Sequence, residues 1–332
     1  MVVGGSGQLG SPLVVLVDEP MLPNLRVCGL HSHQQGYNRT MLTNRAFGDT
    51  GLKVSILGLG AGQIGRTDVT ETAAADVLNG ALDLGITLID TAASYGVSEE
   101  RIGRHVAHRR DEFVLSTKGG QAIDGHPDWS AASVSASIEQ SLRRTRSERL
   151  DIFFLHSCPV EVLRRGDLQD TLDQAIVAGK IGMAGYSGDN EHLAFAADSG
   201  RFAVIETSIN IADQWNLRNV VGHRPELGVI AKRPIANAPW RFAERPSGDY
   251  AELYWQRLRE LQLDPKDLDW AELALRFSAY APGVHSAIVG TAKLANLHRN
   301  VEAAGHGPLP PAMLADIDRA WQRVGSEWPS ST

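Results

Sequence analysis

Gly85-Ile86-Thr87-Leu88-Ile89-Asp90-Thr91-Ala92-Ala93-Ser94-Tyr95-Gly96 passes from a turn glycine through a short apolar run into polar loop chemistry. The run at 87–90 reads as a strand, and the same motif recurs at 54–59, 113–117, 152–155, 182–186, 204–208, 228–231 and 287–289. Each is a short β-branched or aliphatic stretch followed by an amphipathic helical pattern, an alternation that forces right-handed crossovers and a parallel sheet. In the helical stretch 132–145, for example, Val134, Ile138 and Leu142 recur every four residues and make one apolar stripe. Eight such units close a (β/α)8 TIM barrel, which typically takes about 250 residues.

The span from Leu42 to Trp328 slightly exceeds that length, and the excess has places to go. Residues 45–52 read as a hairpin with Asp-Gly-type turn chemistry ahead of the first barrel strand, a plug for the barrel floor. Residues 234–250 form a long loop after the seventh strand, followed by an extra helix at 251–263. A last helix carries Met313, Ile317, Trp321 and Val324 on one face, which would pack back on the barrel.

The first forty residues differ in character. They contain Pro12, Pro20, Pro23 and the polar run His31-Ser32-His33-Gln34-Gln35-Gly36, with no sustained helical period. We expect 1–40 to be a poorly ordered extension and 41–332 a single barrel domain, with Met41 a possible native start. The segment also contains Gly5-x-Gly7-x-x-Gly10, which matches a dinucleotide-binding fingerprint. Its context contradicts that reading, because Ser11-Pro12 follows where a helix must open. No basic leader with an uninterrupted apolar core is present, so the segment is a poor signal peptide.

Composition narrows the partners. The 332 residues are 43% hydrophobic and 21% charged, with a formal net charge of −7 and acidic and basic residues interspersed. That pattern offers no electrostatic footprint for nucleic acid or an anionic membrane, and no apolar stretch reaches the roughly 18 residues of a membrane span. Cys28 and Cys158 lie far apart without metal-ligand spacing, which suits a reducing cytoplasm and predicts neither a disulfide framework nor a metal site.

Catalytic groups of such barrels sit at the carboxyl ends of strands. Four residues stand there: Asp90 at the end of the second predicted strand, Tyr95 in the loop after it, Lys118 at the end of the third and His156 at the end of the fourth. Each alone has an ordinary structural role open to it: a helix cap, an amphipathic loop residue, an ion-pair partner, a core histidine. Their coincidence on one rim points to a site instead.

These segments, together with Ser98-Glu99-Glu100-Arg101-Ile102-Gly103, Leu115-Ser116-Thr117-Lys118 and Leu150-Asp151-Ile152-Phe153-Phe154-Leu155-His156, closely resemble the aldo-keto reductases. The resemblance runs from about Arg45 to Ala304 and preserves the family's order and spacing. It implies a catalytic tetrad of Asp90, Tyr95, Lys118 and His156, reducing a carbonyl with hydride from a nicotinamide cofactor and without metal or flavin. Such a reaction needs a positioned acid where oxygen charge develops. A phenol has a reference pKa near 10. We expect Lys118 to lower that of Tyr95 by ~2–3 units, about what one charge ~4 Å away supplies at an effective dielectric near 20. Asp90 would hold the ammonium, while His156 would orient the carbonyl.

The resemblance also places cofactor contacts. Ser187 falls on the serine that meets the carboxamide, although Gly188 replaces the usual asparagine. Glu206 stands where glutamine is usual and would offer an acceptor oxygen. Lys232 replaces a stacking tyrosine, and Arg233 offers a plane or a pyrophosphate contact. Gly290, Thr291, Lys293, Asn296 and Asn300 match the adenine-end segment, but Gly290 and Asn296 replace the lysine and arginine that hold a 2′-phosphate, leaving Lys293 to substitute. NADP(H) is therefore expected over NAD(H), with sugar and pyridoxal dehydrogenases the nearest flavour. Trp129, Trp240 and Phe242 are candidate walls for a small carbonyl or alcohol substrate. The alternative is a cofactor-sensing regulatory subunit of the same fold, of the kind found in potassium-channel beta subunits.

Overall fold

The structure is a computed structural model that describes residues 42–331; the extension at 1–40 with its glycine motif, and Cys28, lie outside the described residues. Ten strands occur among those residues: β1 (Asn44–Ala46), β2 (Lys53–Ser55), β3 (Leu57–Gly60), β4 (Leu88–Asp90), β5 (Val114–Gly119), β6 (Leu150–His156), β7 (Ile181–Ser187), β8 (Val204–Ser208), β9 (Gly228–Lys232) and β10 (Ser286–Gly290). The last eight close on themselves in chain order, with β10 pairing both β9 and β3. Every barrel pairing is parallel. The TIM barrel read from the sequence is therefore the fold.

One predicted strand is corrected. The run 54–59 is two strands that break at Ile56, because Ser55 ends the first by bonding to the chain ahead and to Thr87: its amide donates to Thr87 Oγ1 at 2.8 Å, and its hydroxyl donates to the Leu57 carbonyl at 2.6 Å and accepts from the Thr87 amide at 2.8 Å. The chain turns there from the hairpin into the barrel. The hairpin itself pairs Asn44 with Ser55 and Ala46 with Lys53, antiparallel, so it begins one residue before and ends three residues after the expected 45–52.

Between its strands the hairpin tip carries Phe47, fully buried with Val54, Leu88, Ile152, Phe154, Val204, Ile230 and Ile288 in a cluster of its own. These side chains fill the lower barrel interior, and Phe47 seals it. The tip approaches so closely that a Cβ on Gly48, whose φ is +54°, would lie 2.5 Å from the Leu227 backbone carbon. Only glycine fits there.

Around the barrel, the helix Ala131–Thr145 buries Val134 and Ile138 as the stripe predicted, starting from a Ser130 cap that accepts from the Ser133 amide. The extra helix is Glu252–Leu261, and the last, Pro311–Val324, buries Ile317 and Trp321. Beyond it, Trp328 meets Trp321 edge to face, and the chain continues to Ser331 across the barrel mouth. No helix of the described residues is long and apolar enough to cross a membrane.

Candidate active site

Above the apolar floor the interior becomes polar. Asp90, the last residue of β4, is in register with Ser116 on β5. Ser116 and Lys118 are two apart on that strand and so share a face. Ser116 Oγ donates to Asp90 Oδ1 at 2.7 Å, and Lys118 Nζ donates to Asp90 Oδ2 at 2.5 Å and to the Thr91 carbonyl at 3.0 Å. Lys118 is completely buried, which a lysine tolerates only when paired.

Lys118 has a second carboxylate. Glu206, on β8 across the barrel, places Oε2 3.1 Å from Nζ, and its other oxygen accepts from Ser187 Oγ at 3.3 Å. That Oε2 makes no aligned hydrogen bond, so the contact is one of charge rather than of a directed donor. Ser187 and Glu206 are register partners on β7 and β8, and His156 on β6 is in register with Ser187.

Tyr95 is held over this cluster by the loop after β4. Its amide donates to the Ala92 carbonyl at 3.0 Å, and its carbonyl lies where a Cβ on Gly65 would stand 1.8 Å away, so the loop closes only over a glycine. Lys118 Nζ is 5.4 Å from the Tyr95 ring centre and 5.8 Å from that of Phe154. The Tyr95 and His156 rings meet edge to face, 5.9 Å between centres. The four predicted residues are thus gathered at the carboxyl-end rim.

Their electrostatics differ from expectation in one respect. The Tyr95 phenol is pushed up to about 12, because burial of its hydroxyl end and the charges of Asp90 and Glu206 outweigh the lowering by Lys118. The expected depression fails because burial of the phenol outweighs the ammonium, and two carboxylates offset that ammonium further. Asp90 is pushed up to about 8, chiefly by burial and then by Glu206, against the opposing pull of Lys118. Burial disfavours the Lys118 cation, yet the two carboxylates more than reverse this and hold it charged. His156 is lowered to about 3 by burial and by the cations Lys118, Lys232 and Arg233, so it is neutral.

The predicted cofactor residues fall into two groups along the rim. Lys232 ends β9 and pairs with the buried Asp189 at 3.0 Å. Burial works against the Asp189 carboxylate, but Lys232, Arg233 and the Ser208 amide hold it below the usual range. Arg233 adopts a left-handed φ of +56° and donates to Ser208 Oγ at 3.0 Å and to the Ser331 carbonyl at 2.6 Å, its guanidinium 4.9 Å from the Tyr250 ring centre. Farther round, Gly290 ends β10 and Thr291 Oγ1 accepts from the Lys293 amide at 3.0 Å. Lys293 is exposed at the start of the helix Leu294–Gly305, which also carries Asn296 and Asn300; Asn296 Oδ1 accepts from Arg299.

The three candidate substrate residues are separated. Trp129 follows β5 and lies against Gly120, where a Cβ would be 2.7 Å from its ring. Trp240 stacks on Trp270 at 6.0 Å, and it lines with Phe242 and Trp255 a hollow of 410 Å³ against the extra helix. A smaller hollow of 280 Å³ lies beside the Tyr95 loop, lined by Ala93, Ser94, Gln121, Asp124 and Arg144.

Three features were not anticipated. The Glu206 contact to Lys118 joins residues 88 positions apart, and no local pattern announces it. Ser116 was within reach, since strand alternation places it beside Lys118. The tail was not: Ser330 Oγ donates to the buried Asp213 at 2.6 Å, the Ser331 amide donates to the same carboxylate at 2.9 Å, and the Ser331 carbonyl engages Arg233.

Residues 56–322 match the Aldo/keto reductase family. The chain belongs to that family. It is 27% identical to an uncharacterized oxidoreductase of Bacillus subtilis over 79% of this chain and 91% of that protein. It is 26% identical to D-threo-aldose 1-dehydrogenase of a Pseudomonas species over 84% of this chain and 97% of the relative. The holo form of an aldo-keto reductase from Bacillus halodurans shares the fold, with a TM-score of 0.73 at 24% identity, over 84% of this chain and 96% of that one. This aldo-keto reductase is accordingly an oxidoreductase of a family that uses nicotinamide cofactors and small carbonyl substrates, and none of these relatives favours the cofactor-sensing alternative.

Proposed function

We propose that residues 41–332 are a single-domain enzyme that interconverts an aldehyde or ketone with its alcohol, using NADP(H) in preference to NAD(H). The observation that carries the reading is the convergence of Tyr95, Lys118, Asp90 and His156 on one rim, with Lys118 bonded to Asp90 at 2.5 Å. The donor set also fits a nicotinamide amide: the buried Glu206 Oε2 lacks an aligned donor, and Ser187 Oγ stands beside it. Lys232 and Arg233 are the nearest cations for a pyrophosphate, and Lys293 for a 2′-phosphate. Bound there, the reduced cofactor supplies hydride to the carbonyl carbon.

The protein groups then have distinct work. The Tyr95 phenol, protonated throughout the neutral range, donates its proton to the oxygen as charge develops there. Lys118 stays cationic, favours the phenolate left behind and is fixed by Asp90 and the Thr91 carbonyl. The neutral His156 offers a ring N–H to the carbonyl oxygen and orients it. Similarity to an aldose dehydrogenase makes sugars the first substrate class to try. The test is an NADPH-oxidation screen across aldoses, aromatic aldehydes and diketones with wild type and Tyr95→Phe. Turnover that disappears in the variant supports the reading, and turnover indifferent to it refutes the assigned acid.

A further inference from the structure

Two carboxylates face one ammonium in the buried centre. Asp90 and Glu206 are 1% and 2% exposed, and both touch the fully buried Lys118. Tyr95 and His156 are uncharged, and Asp90 is ionised above about pH 8, so it is in alkaline solution that this inner cluster carries one negative charge in excess. Lys232 and Arg233 lie farther out, keep part of their surface exposed and share Asp189.

Chemistry restricts what stands beside that excess. A carbonyl oxygen protonated by Tyr95 lies about 3 Å from the hydroxyl, and the hydride donor must lie about 3–3.5 Å from the adjoining carbon. A nicotinamide ring doing this work is thus within several ångströms of the cluster. Its oxidised form is a cation and its reduced form is neutral, so an unbalanced buried carboxylate acts on the two differently.

We propose that Glu206 is a charge-setting positioning residue: by adding a second carboxylate to Lys118 it makes the centre favour the oxidised, cationic nicotinamide over the reduced one. The inference rests on the cofactor reading above and deepens it. A neutral amide at this position would keep the shape and the acceptor oxygen but remove the discrimination, because only the charge separates the two redox forms.

The test is equilibrium binding of NADP+ and NADPH at pH 9, where Asp90 is ionised with or without Glu206, measured by calorimetry on the purified chain, for wild type, Glu206→Gln and Ser187→Ala. Wild type is expected to bind the oxidised form more tightly. Glu206→Gln is expected to move the ratio of the two dissociation constants about tenfold towards the reduced form. Ser187→Ala, which removes a neighbouring polar contact without changing charge, is expected to weaken both forms alike. An unchanged ratio in Glu206→Gln, or an equal change in Ser187→Ala, overturns the proposal while leaving the cofactor reading intact. Should the glutamine variant not fold, a wild-type preference for the reduced form overturns it instead. Failure of wild type to bind either form would sink the cofactor reading itself.

Discussion

Lys118 and Asp90 join side chain to side chain between neighbouring strands at 2.5 Å, wholly out of contact with solvent. The pair lies one layer above Phe154, where the apolar filling of the barrel gives way to charge. Everything else in the site is arranged around that ammonium.

Removing the cation leaves Asp90 and Glu206 facing each other. Lys118→Met should cost about 3–5 kcal/mol of stability, the usual penalty for breaking a buried pair from one side. Unpaired buried carboxylates have raised pKa values, so they bind protons the unfolded chain releases and the deficit must grow with rising pH. Urea unfolding at pH 6 and pH 8 measures this. A deficit that shrinks towards pH 8 would contradict the two-carboxylate arrangement.

Tyr95→Phe deletes one hydroxyl and should leave folding and cofactor binding in place. Loss of a general acid typically costs about 10²–10⁴-fold, and kcat for carbonyl reduction should fall by at least that order. Stopped-flow single turnovers with NADPH isolate the chemical step. Combined with Lys118→Met, the losses should be non-additive, because phenol and ammonium act as one unit.

His156 is held neutral down to about pH 3, whereas a free imidazole titrates near 6.5. Below pH 6.5 the unfolded chain therefore takes up a proton that the native centre refuses, and stability falls between pH 6.5 and 3. In His156→Asn this contribution should vanish, so the variant's unfolding free energy should decline less than that of wild type from pH 7 to pH 4.

Strand positions were legible because β-branched runs alternate with apolar stripes of helical period. The boundary inside 54–59 was not, since Val54, Ile56 and Leu57 read as one apolar run and only the Ser55 hydrogen bonds to Thr87 divide it. Asp90, Lys118 and His156 could be placed because residues at strand ends have a fixed location in a barrel. The rise of the Tyr95 pKa could not, because it depends on burial and on Glu206 arriving from the far side. Trp240 shows the same limit: the sequence places it in a rim loop, but its stacking on Trp270 and the hollow it lines with Phe242 depend on helices that arrive from farther along the chain.

Cofactor choice offers a fourth expectation. Lys293 is the cation at the exposed start of the helix Leu294–Gly305, so NADPH should be preferred, and Lys293→Ala should reduce kcat/KM with NADPH more than with NADH. Equal losses with both cofactors would remove Lys293 from that role.

Gly48→Ala tests the hairpin. Its left-handed φ and the 2.5 Å approach to Leu227 should make the substitution cost more than the roughly 1–2 kcal/mol of the backbone conformation alone, read as a lowered Tm.

Phe47 gives the barrel a closed bottom, with its ring completely buried among the side chains that fill the lower interior. The vessel is a cup, and reactants and products share one doorway. Whatever reaches Tyr95 comes and goes by the carboxyl-end rim, because the space beneath is already filled with side chains.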